Sequence, residues 1–435
     1  MEKRKLTELI VEHKEKALSG GDYIMRDSLS DARAILNQKE IHIISGVRRC
    51  GKSTLMRLLI EKLLEEGVKK QNILFLNFED DRFAEFTTAD FQFLYEAFLE
   101  VESPVGRKYF FLDEIQNLPG WHRWVNRLYE FEDIKLFITG SNSSILGGEA
   151  ATVLTGRNRI MKLYPFSFRE LLRANDLSVE ERDFLITEKR AEIARLFNDY
   201  LVFGGFPEIV KSQDTSLLQE YFRDIIFRDV VTRYSVRNVR EIRELALYLA
   251  SNLSCMSSYK KLRDAISVNS LTTVKNYIGY FEDVYLFFAA GLFDYSLKRQ
   301  MYNPSKMYCV DHAIASSIAF KFSEDIGRTI ENIVFIELKR RGLEVYYWKD
   351  KKGRECDFLI KKGRTITEAV QVSSNISTMD TRDREITGAI AAAEEFGLKE
   401  VKILTTEDLG SETVKGIKIQ YIPIWRWLCS SGYEF

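Results

Sequence analysis

The chain lacks the paired cysteines and histidines that structural metal sites need. Its five cysteines are scattered over positions 50, 255, 309, 356 and 429, with no Cys-x-x-Cys spacing. The four histidines are isolated as well. We therefore expect no structural zinc site and reduced, mostly buried thiols.

Long apolar runs are also missing. The longest, VYLFFAAGLF (Val284–Phe293), is far shorter than the roughly 20 residues that span a bilayer. The opening stretch MEKRKLTELIVEHKEKALSG is charged throughout and has no apolar core of the signal-peptide type. We expect a cytoplasmic protein that does not enter a membrane.

An excess of charge of either sign is absent. The chain carries 63 Lys and Arg against 64 Asp and Glu, a net charge of −1. No global field then attracts it to nucleic acid or anionic lipid, so any basic surface must be local. Its 435 residues would suit about three domains at ~150 residues each.

What is present near the start is a phosphate-binding pattern. An apolar run, Ile41–Ser45, is followed by Gly-x-x-x-x-Gly-Lys-Ser. The loop and the residue after it are Gly46, Val47, Arg48, Arg49, Cys50, Gly51, Lys52, Ser53 and Thr54. Glycines let several backbone N–H groups face one anion, and the following helix adds its positive end.

Side chains of this loop predict binding of ATP with Mg²⁺. Lys52 would reach the β- and γ-phosphates, the Ser53 hydroxyl the magnesium, and Thr54 the α-phosphate. Arg48 and Arg49 would contact either the nucleotide or a neighbouring domain, and the sequence does not distinguish these.

Acidic residues end a second apolar strand, FFLDEI (110–115). Asp113 is the candidate magnesium ligand, through water, and Glu114 the candidate base for the attacking water. The alternative is an acidic pair that merely caps a strand.

Two further stretches carry candidate catalytic side chains. In ITGSN (138–142), Ser141 or Asn142 would contact the γ-phosphate or the water, unless the stretch is only a polar turn. Arg157, in LTGRNR, is a candidate arginine finger, within the chain or across a subunit boundary. The alternative is an ordinary surface arginine.

Alternating strands and helices predict an α/β fold with a parallel sheet covered on both faces. Strands are predicted at Ile41–Ser45, Asn72–Asp80, Lys108–Ile115 and Lys135–Asn142. Ligands of such sheets lie at the carboxyl ends of the strands, where the polar residues fall. Residues Ser167–Arg240 look almost wholly helical apart from FGGFPE, a turn.

These stretches resemble the AAA-type ATPases of bacteria and archaea whose C-terminal half is of unknown function. The likeness covers nearly the whole chain and is carried by the phosphate loop, FLNFEDDRF, FLDEIQNLPGWHRWV, ITGSNSS, LTGRNRIMKLYPFSFREL, FGGFPEIV, YFRDIIFRDVV and ENIVFIELKRRG. The resemblance implies an ATPase domain (1–165), a helical lid (166–240), a winged helix (241–311) and a restriction-endonuclease-like domain (312–435). AAA-type relatives often form rings, so a homo-oligomer is a further expectation.

A helix-turn-helix pattern lies in residues 258–287. Its first helix, Ser258–Ile266, would face inward with Leu262, Ala265 and Ile266. Val274, Tyr277, Ile278 and Phe281 would form the buried stripe of the second helix, and Ser270 its cap. Four side chains near its start would be exposed where a recognition helix meets bases: Thr272, Thr273, Lys275 and Asn276.

A wing carrying Lys298 and Arg299 would follow this pattern. Residues 223–310 hold 13 Lys and Arg against 8 Asp and Glu, a net charge of +5. DNA is therefore a candidate partner; the alternative is a protein-interaction or packing module.

The terminal domain departs from the nuclease pattern of the resembled fold. Asp357, after Glu355, stands where the first strand acid is expected, and Glu331 is the candidate helical acid. The next strand has Gln371 and Ser373 in place of the acid and the lysine, and an amide is a poor magnesium ligand. Glu368 cannot substitute because it points to the opposite face of the strand. We expect a degenerate nuclease fold.

The leading functional hypothesis is an ATPase whose nucleotide state controls binding of nucleic acid or a partner. One alternative is a slow ATP-dependent signalling switch that acts through protein contacts. The other, an ATP-gated nuclease, is disfavoured by Gln371 and Ser373.

Overall fold

The computed structural model describes residues 1–140, 148–320, 325–374 and 379–430. The chain divides into two compact units, Met1–Tyr164 and Pro165–Phe435.

The first unit is an α/β structure. Its helices are α1 (Lys3–Leu18), α2 (Ala32–Asn37), α3 (Lys52–Glu65), α4 (Asp90–Glu102), α5 (Trp121–Phe131) and α6 (Gly148–Leu154). Its strands are β1 (Ile41–Ser45), β2 (Ile73–Asn77), β3 (Lys108–Asp113), β4 (Ile134–Gly140) and β5 (Asn158–Lys162). Short 3-10 turns lie at Asp27–Leu29, Lys70–Asn72, Asp81–Phe83 and Ile115–Asn117.

The five strands form one parallel sheet in the order β2-β3-β4-β1-β5. β4 lies between the strand that leads into the phosphate loop and the strand that ends in Asp113. All five residues of β1 and all seven of β4 are buried, as expected for central strands covered on both faces. The predicted α/β fold with a parallel sheet is confirmed.

The sequence placed some boundaries wrongly. β2 ends at Asn77 because the Glu79 N–H bonds the Asn77 side chain at 2.8 Å and turns the chain. β3 ends at Asp113 because Glu114 is left-handed, with φ of 52°. The exposed edge strand β5 was not predicted, because its polar sequence gives little strand signal.

Packing against one sheet face fixes α1, α4 and α5. Apolar side chains of these helices bury against β2, β3 and β4 in a single cluster that includes Leu9, Phe98, Phe110 and Trp124. Phe111 and Phe137 stack at 4.8 Å between neighbouring strands β3 and β4. A rigid sheet of this kind holds the ends of its strands in fixed positions.

The second unit combines many helices with two sheets. Its helices are α7 (Phe168–Ala174), α8 (Thr187–Phe203), α9 (Pro207–Ser212), α10 (Ser216–Asp224), α11 (Val239–Ser251), α12 (Tyr259–Ala265), α13 (Leu271–Asp283), α14 (Leu297–Tyr302), α15 (His312–Ile318), α16 (Ile326–Arg340), α17 (Met379–Phe396) and α18 (Ile424–Cys429). A π-helix spans Ile225–Thr232, and a 3-10 turn spans Glu181–Leu185.

Strands of the second unit are β6 (Met256–Ser257), β7 (Phe287–Ala290), β8 (Ser305–Cys309), β9 (Glu344–Lys349), β10 (Glu355–Lys362), β11 (Thr365–Val372), β12 (Glu400–Thr405), β13 (Gly410–Val414) and β14 (Ile417–Pro423). Three of them form an antiparallel sheet in the order β6-β8-β7. The other six form a mixed sheet in the order β13-β14-β12-β11-β10-β9. A bridge between Leu292 and Tyr347 connects the segment after β7 to β9.

The helix-turn-helix segment folds close to expectation. Ser270 caps α13 by accepting the Thr272 N–H at 3.2 Å, and Val274, Tyr277, Ile278 and Phe281 are its buried residues. Ala265, expected inside, is exposed on α12, and Val268 in the turn is buried instead. Among the described residues, every helix is too short or too polar to cross a membrane.

Candidate functional site

The phosphate loop follows β1 directly, and its two glycines are required by the space and by the backbone. A Cβ on Gly46 would lie 2.1 Å from the Leu163 carbonyl oxygen. Gly51 has φ of 100° immediately before α3, a conformation that L side chains rarely adopt. The loop therefore curls tightly and delivers the N-terminus of α3 to the carboxyl end of the sheet.

Lys52 is buried and lies over this loop. Its Nζ donates to the carbonyl oxygens of Gly46 (3.1 Å) and Val47 (3.3 Å) and lies 3.8 Å from Glu114 Oε1. These partners are two neutral oxygens and one carboxylate beyond hydrogen-bonding distance. An incoming phosphate oxygen can therefore replace them at little cost.

Asp113, the candidate magnesium ligand, ends β3. The residue as a whole is 1% exposed. Its Oδ1 accepts a hydrogen bond from the Thr139 hydroxyl at 2.5 Å. Oδ2 is buried and has no hydrogen-bond partner among the described residues. Burial raises the pKa of Asp113, while the neighbouring Ser53 hydroxyl and the hydrogen bond from Thr139 act in the opposite direction. A buried carboxylate oxygen beside the Ser53 hydroxyl is the donor set that Mg²⁺ prefers.

Glu114 is held by three contacts at the turn after β3. Its N–H donates to Thr139 Oγ1 at 2.8 Å, so one threonine of β4 orients both acidic residues. Its Oε2 accepts from Gln116 Nε2 at 2.5 Å, and its Oε1 faces Lys52. The Gln116 Oε1 atom is buried and has no partner within the described ranges. The side chain of Glu114 is thus aimed at the loop.

The remaining residues of the phosphate loop differ in their contacts and in their burial. Arg48 pairs with Glu79 at 3.3 Å, and Arg49 is exposed with φ of 70°. Cys50 is buried, and burial raises the pKa of its thiol, as expected for a small packing residue. Arg26, a buried residue that the sequence did not single out, donates to the Cys50 carbonyl at 2.9 Å and to the Tyr164 carbonyl at 2.6 Å.

Ser141 and Asn142 lie outside the described residues. Arg157 lies just before β5, where its carbonyl accepts the Ile41 N–H at the amino end of β1. Its guanidinium bonds Glu130 at 2.7 Å. Because the phosphate loop follows the other end of β1, this position argues against a finger acting within the chain, and the role across a subunit boundary stays a prediction.

The candidate nucleic-acid residues lie on two helices of the second unit, α13 and α14. On α13, Thr272, Lys275 and Asn276 are exposed and Thr273 is half-buried. Lys275 Nζ lies 5.4 Å from the Tyr259 ring centre.

Between β7 and β8, Lys298 and Arg299 are exposed on α14, where Arg299 pairs with Asp294 at 2.9 Å. Tyr295 and Tyr302 flank them, each 80% exposed.

A second cluster of acids lies in the cleft of the mixed sheet, a cavity of about 780 Å³. Glu331 of α16 and Asp357 of β10, both predicted, come together there with Glu355. All three surround Lys306 of β8, a buried lysine that the sequence did not single out. The only sign of Lys306 in the sequence was its position inside the strand SKMYC, directly before the apolar residues of that strand.

Gln371 and Ser373 occupy the predicted positions beside these acids. Gln371 Oε1 accepts the Asp357 N–H at 3.0 Å, and its Nε2 donates to Glu385 Oε2 at 2.5 Å. Ser373 is buried in the wall of the same cavity. Glu368 instead bonds Lys402 at 2.8 Å on the opposite face of the strand. Among the described residues, no group of three or more His, Cys, Asp and Glu side chains is arranged to hold a metal ion.

Comparison with known families finds three consecutive matches. An AAA domain model matches residues 38–172. Two domains of unknown function, DUF8612 and DUF4143, match residues 194–325 and 326–427.

Two full-length relatives are similar along almost the whole chain. An uncharacterized protein of Methanocaldococcus jannaschii, MJ1544, is 34% identical over 91% of this chain and 90% of its own length. An uncharacterized protein of Haemophilus influenzae is 31% identical over 88% of this chain and 94% of its own.

Solved structures resemble the chain only distantly. The Aeropyrum pernix ORC1 protein in complex with DNA has a TM-score of 0.30 at 15% identity, covering 72% of this chain and 91% of that one. AMPPCP-bound DnaA from Aquifex aeolicus has a TM-score of 0.27 at 16% identity, covering 60% and 90%. The fold assignment rests instead on the strand order and on the loop geometry above. Because the two relatives are 34% and 31% identical along most of both chains, the chain belongs to the family of the MJ1544 protein. In this chain an AAA domain precedes a C-terminal half of unknown function.

Proposed function

We propose that this protein binds ATP with Mg²⁺ and hydrolyses it. The observation that carries the proposal is the convergence of Lys52, Ser53, Asp113 and Glu114 at one edge of the sheet. In particular, Asp113 presents a buried oxygen that nothing described in the chain satisfies, and a buried carboxylate oxygen normally has a partner.

Each side chain has a distinct task in this proposal. Loop N–H groups and Lys52 hold the phosphates, while Ser53 and Asp113 hold Mg²⁺, which neutralises charge developing on the phosphate oxygens. Glu114 accepts a proton from the attacking water. Thr139 fixes both acids, since it bonds the side chain of one and the backbone of the other.

Phosphate release from ATP tests this proposal directly. We expect turnover by the full-length protein with Mg²⁺, and none when EDTA removes the metal. Tight ATP binding without turnover would favour the signalling switch. Absence of both would refute the proposal.

We further infer that residues 241–311 form a winged helix that binds nucleic acid. Support comes from the order of helices and strands, from exposed Lys275 and Asn276 on α13, and from exposed Lys298 and Arg299 between β7 and β8. Tyr295 and Tyr302 beside these cations offer flat rings to unstacked bases.

Binding of duplex and single-stranded DNA over a salt series tests this second step. We expect the logarithm of affinity to fall linearly with the logarithm of salt concentration. Replacing Lys275, Lys298 and Arg299 together by Ala should reduce that slope by roughly 1 for each phosphate that is no longer neutralised. Lys415→Ala, at an exposed lysine between β13 and β14, is the control. Salt-independent or absent binding would favour a protein-interaction module.

Stimulation of ATP turnover by the bound DNA would connect the two activities. Mass measurement of the particle, with and without nucleotide, tests whether a homo-oligomer forms and so whether Arg157 has a neighbour to act on.

A further inference from the structure

Lys306 is enclosed by carboxylates. Its Nζ lies 2.8 Å from Asp357 Oδ1, 2.9 Å from Glu355 Oε1 and 3.0 Å from Glu331 Oε1, and its side chain is 4% exposed. Of its three N–H donors, the ammonium uses two in hydrogen bonds to Asp357 and Glu331, and it forms an ion pair with Glu355.

Other contacts complete the bonding of the acids. Asp357 Oδ2 accepts the Val372 N–H at 3.1 Å, and Glu331 Oε1 also accepts the Tyr308 hydroxyl at 2.7 Å. A divalent metal held by the same acids needs their oxygens at roughly 2.0–2.6 Å. The Lys306 ammonium stands at the point where those oxygens converge, and its charge would repel the metal.

Gln371 does not offer a replacement ligand. Its oxygen is bonded to the Asp357 backbone and its nitrogen to Glu385. Gln371, which stands at the position of the nuclease acid, is thus held by hydrogen bonds in the wall of the cleft. The residues present therefore do not fit the magnesium that the nuclease resemblance implies.

We propose that Lys306 is a permanent internal cation, which takes the place of the metal in this nuclease-like cleft. The cleft then binds no Mg²⁺ and cleaves no phosphodiester bond. Instead, the ammonium fastens β8 of the three-stranded sheet to α16 and β10 of the mixed-sheet region. This inference rests on the proposed interpretation of the cleft as a degenerate nuclease site and is independent of ATP hydrolysis.

Removing the ammonium should create the metal site that it now prevents. Without Lys306, the three carboxylates lose their shared buried counter-charge, which is destabilising in a buried place, and Lys349 stays paired with Glu355 alone at 3.5 Å. A divalent cation would then be attracted to the oxygens that the ammonium has left.

Thermal unfolding of the full-length chain tests this inference. An Asp113→Asn background, without nucleotide, removes the metal ligand of the ATP site. In EDTA, Lys306→Met should lower the Tm by roughly 10 °C, and millimolar Mn²⁺ should restore part of that loss. The background protein should show no shift with Mn²⁺. Lys402→Met is the matched control because Lys402 bonds Glu368 on the other face of the sheet at 2.8 Å. It should lose less stability and recover none with Mn²⁺.

Two results would overturn the proposal. One is a failure of Mn²⁺ to raise the Tm of Lys306→Met. The other is Mn²⁺ binding by the background protein, measured by electron paramagnetic resonance, that disappears with Asp357→Asn. This second measurement needs no Lys306 variant, so it decides the question even if Lys306→Met does not fold. Metal-dependent plasmid cleavage that disappears with Asp357→Asn would have the same meaning.

Discussion

Both units place a buried lysine beside acidic side chains, but the two lysines are bonded differently. Lys52 is bonded to two backbone carbonyls and stays 3.8 Å from Glu114, while Asp113 keeps one oxygen unsatisfied among the described residues. Lys306 is ion-paired with three carboxylates within 3.0 Å, two of which also accept its hydrogen bonds. The residue types are similar, so the bonding state of the lysine and of the acids distinguishes a site that is ready for a ligand from one that is complete without it.

Replacing the lysine of the phosphate loop should have the largest effect on ATP affinity, so it is the strongest test of this comparison. Lys52→Ala should weaken ATP binding by about 100-fold or more, because phosphate oxygens lose a charge-assisted hydrogen bond in a buried place. Lys306→Met should leave ATP affinity unchanged. Titration of a fluorescent ATP analogue measures both. Equal effects of the two variants would remove the distinction.

Neutralising the candidate base should separate binding from chemistry. Glu114→Gln should bind ATP as the parent does and hydrolyse it roughly 10²–10⁴-fold more slowly, since general-base catalysis is lost. Glu355→Gln, at an acid ion-paired with Lys306, is the matched control and should keep full turnover. Normal single-turnover phosphate release by Glu114→Gln would contradict its assignment.

Thr139 should matter less than Glu114 but more than an ordinary buried threonine. Thr139→Val removes the hydroxyl that bonds Asp113 and the Glu114 N–H, so turnover should fall about 10- to 100-fold. The Mg²⁺ concentration for half-maximal rate should rise as well. Thr139→Ser, which keeps the hydroxyl, should restore both values. A valine variant with unchanged Mg²⁺ dependence would show that Thr139 is only a packing residue.

The smallest effect is expected at Gln116. Gln116→Leu removes one hydrogen bond to the Glu114 carboxylate and should slow turnover about 3- to 10-fold. Gln92→Leu is a control for loss of an amide–carboxylate bond elsewhere, since Gln92 bonds Glu96 at 2.8 Å on α4. If both variants turn over ATP at the parental rate, Gln116 does not position Glu114.

The sequence predicted best those parts of the site that lie close together in the chain. Gly46 to Thr54 form one contiguous motif, and Asp113 and Glu114 end one apolar strand, so local pattern was sufficient. The buried stripe of α13 was found for the same reason, because helical periodicity is a local property.

Residues brought together only by sheet pairing were missed. Thr139 reaches Asp113 because β3 and β4 are neighbours in a particular register, which short-range patterns do not contain. Lys306 meets Asp357 across 51 positions of sequence. The sequence around β11 predicts no ammonium group in the cleft, because Ser373 stands at the position of the nuclease lysine. The fold supplies one from another sheet and uses it for a different purpose.

Arg26 connects two places that are far apart in the sequence. One guanidinium nitrogen holds the Cys50 carbonyl inside the phosphate loop, and the other holds the carbonyl of Tyr164, the last residue of the first unit. A shift of the loop on nucleotide binding must therefore either break one of these bonds or carry Tyr164 with it. The segment of chain that leaves the first unit is in this way tethered to the loop that we propose to hold the phosphates.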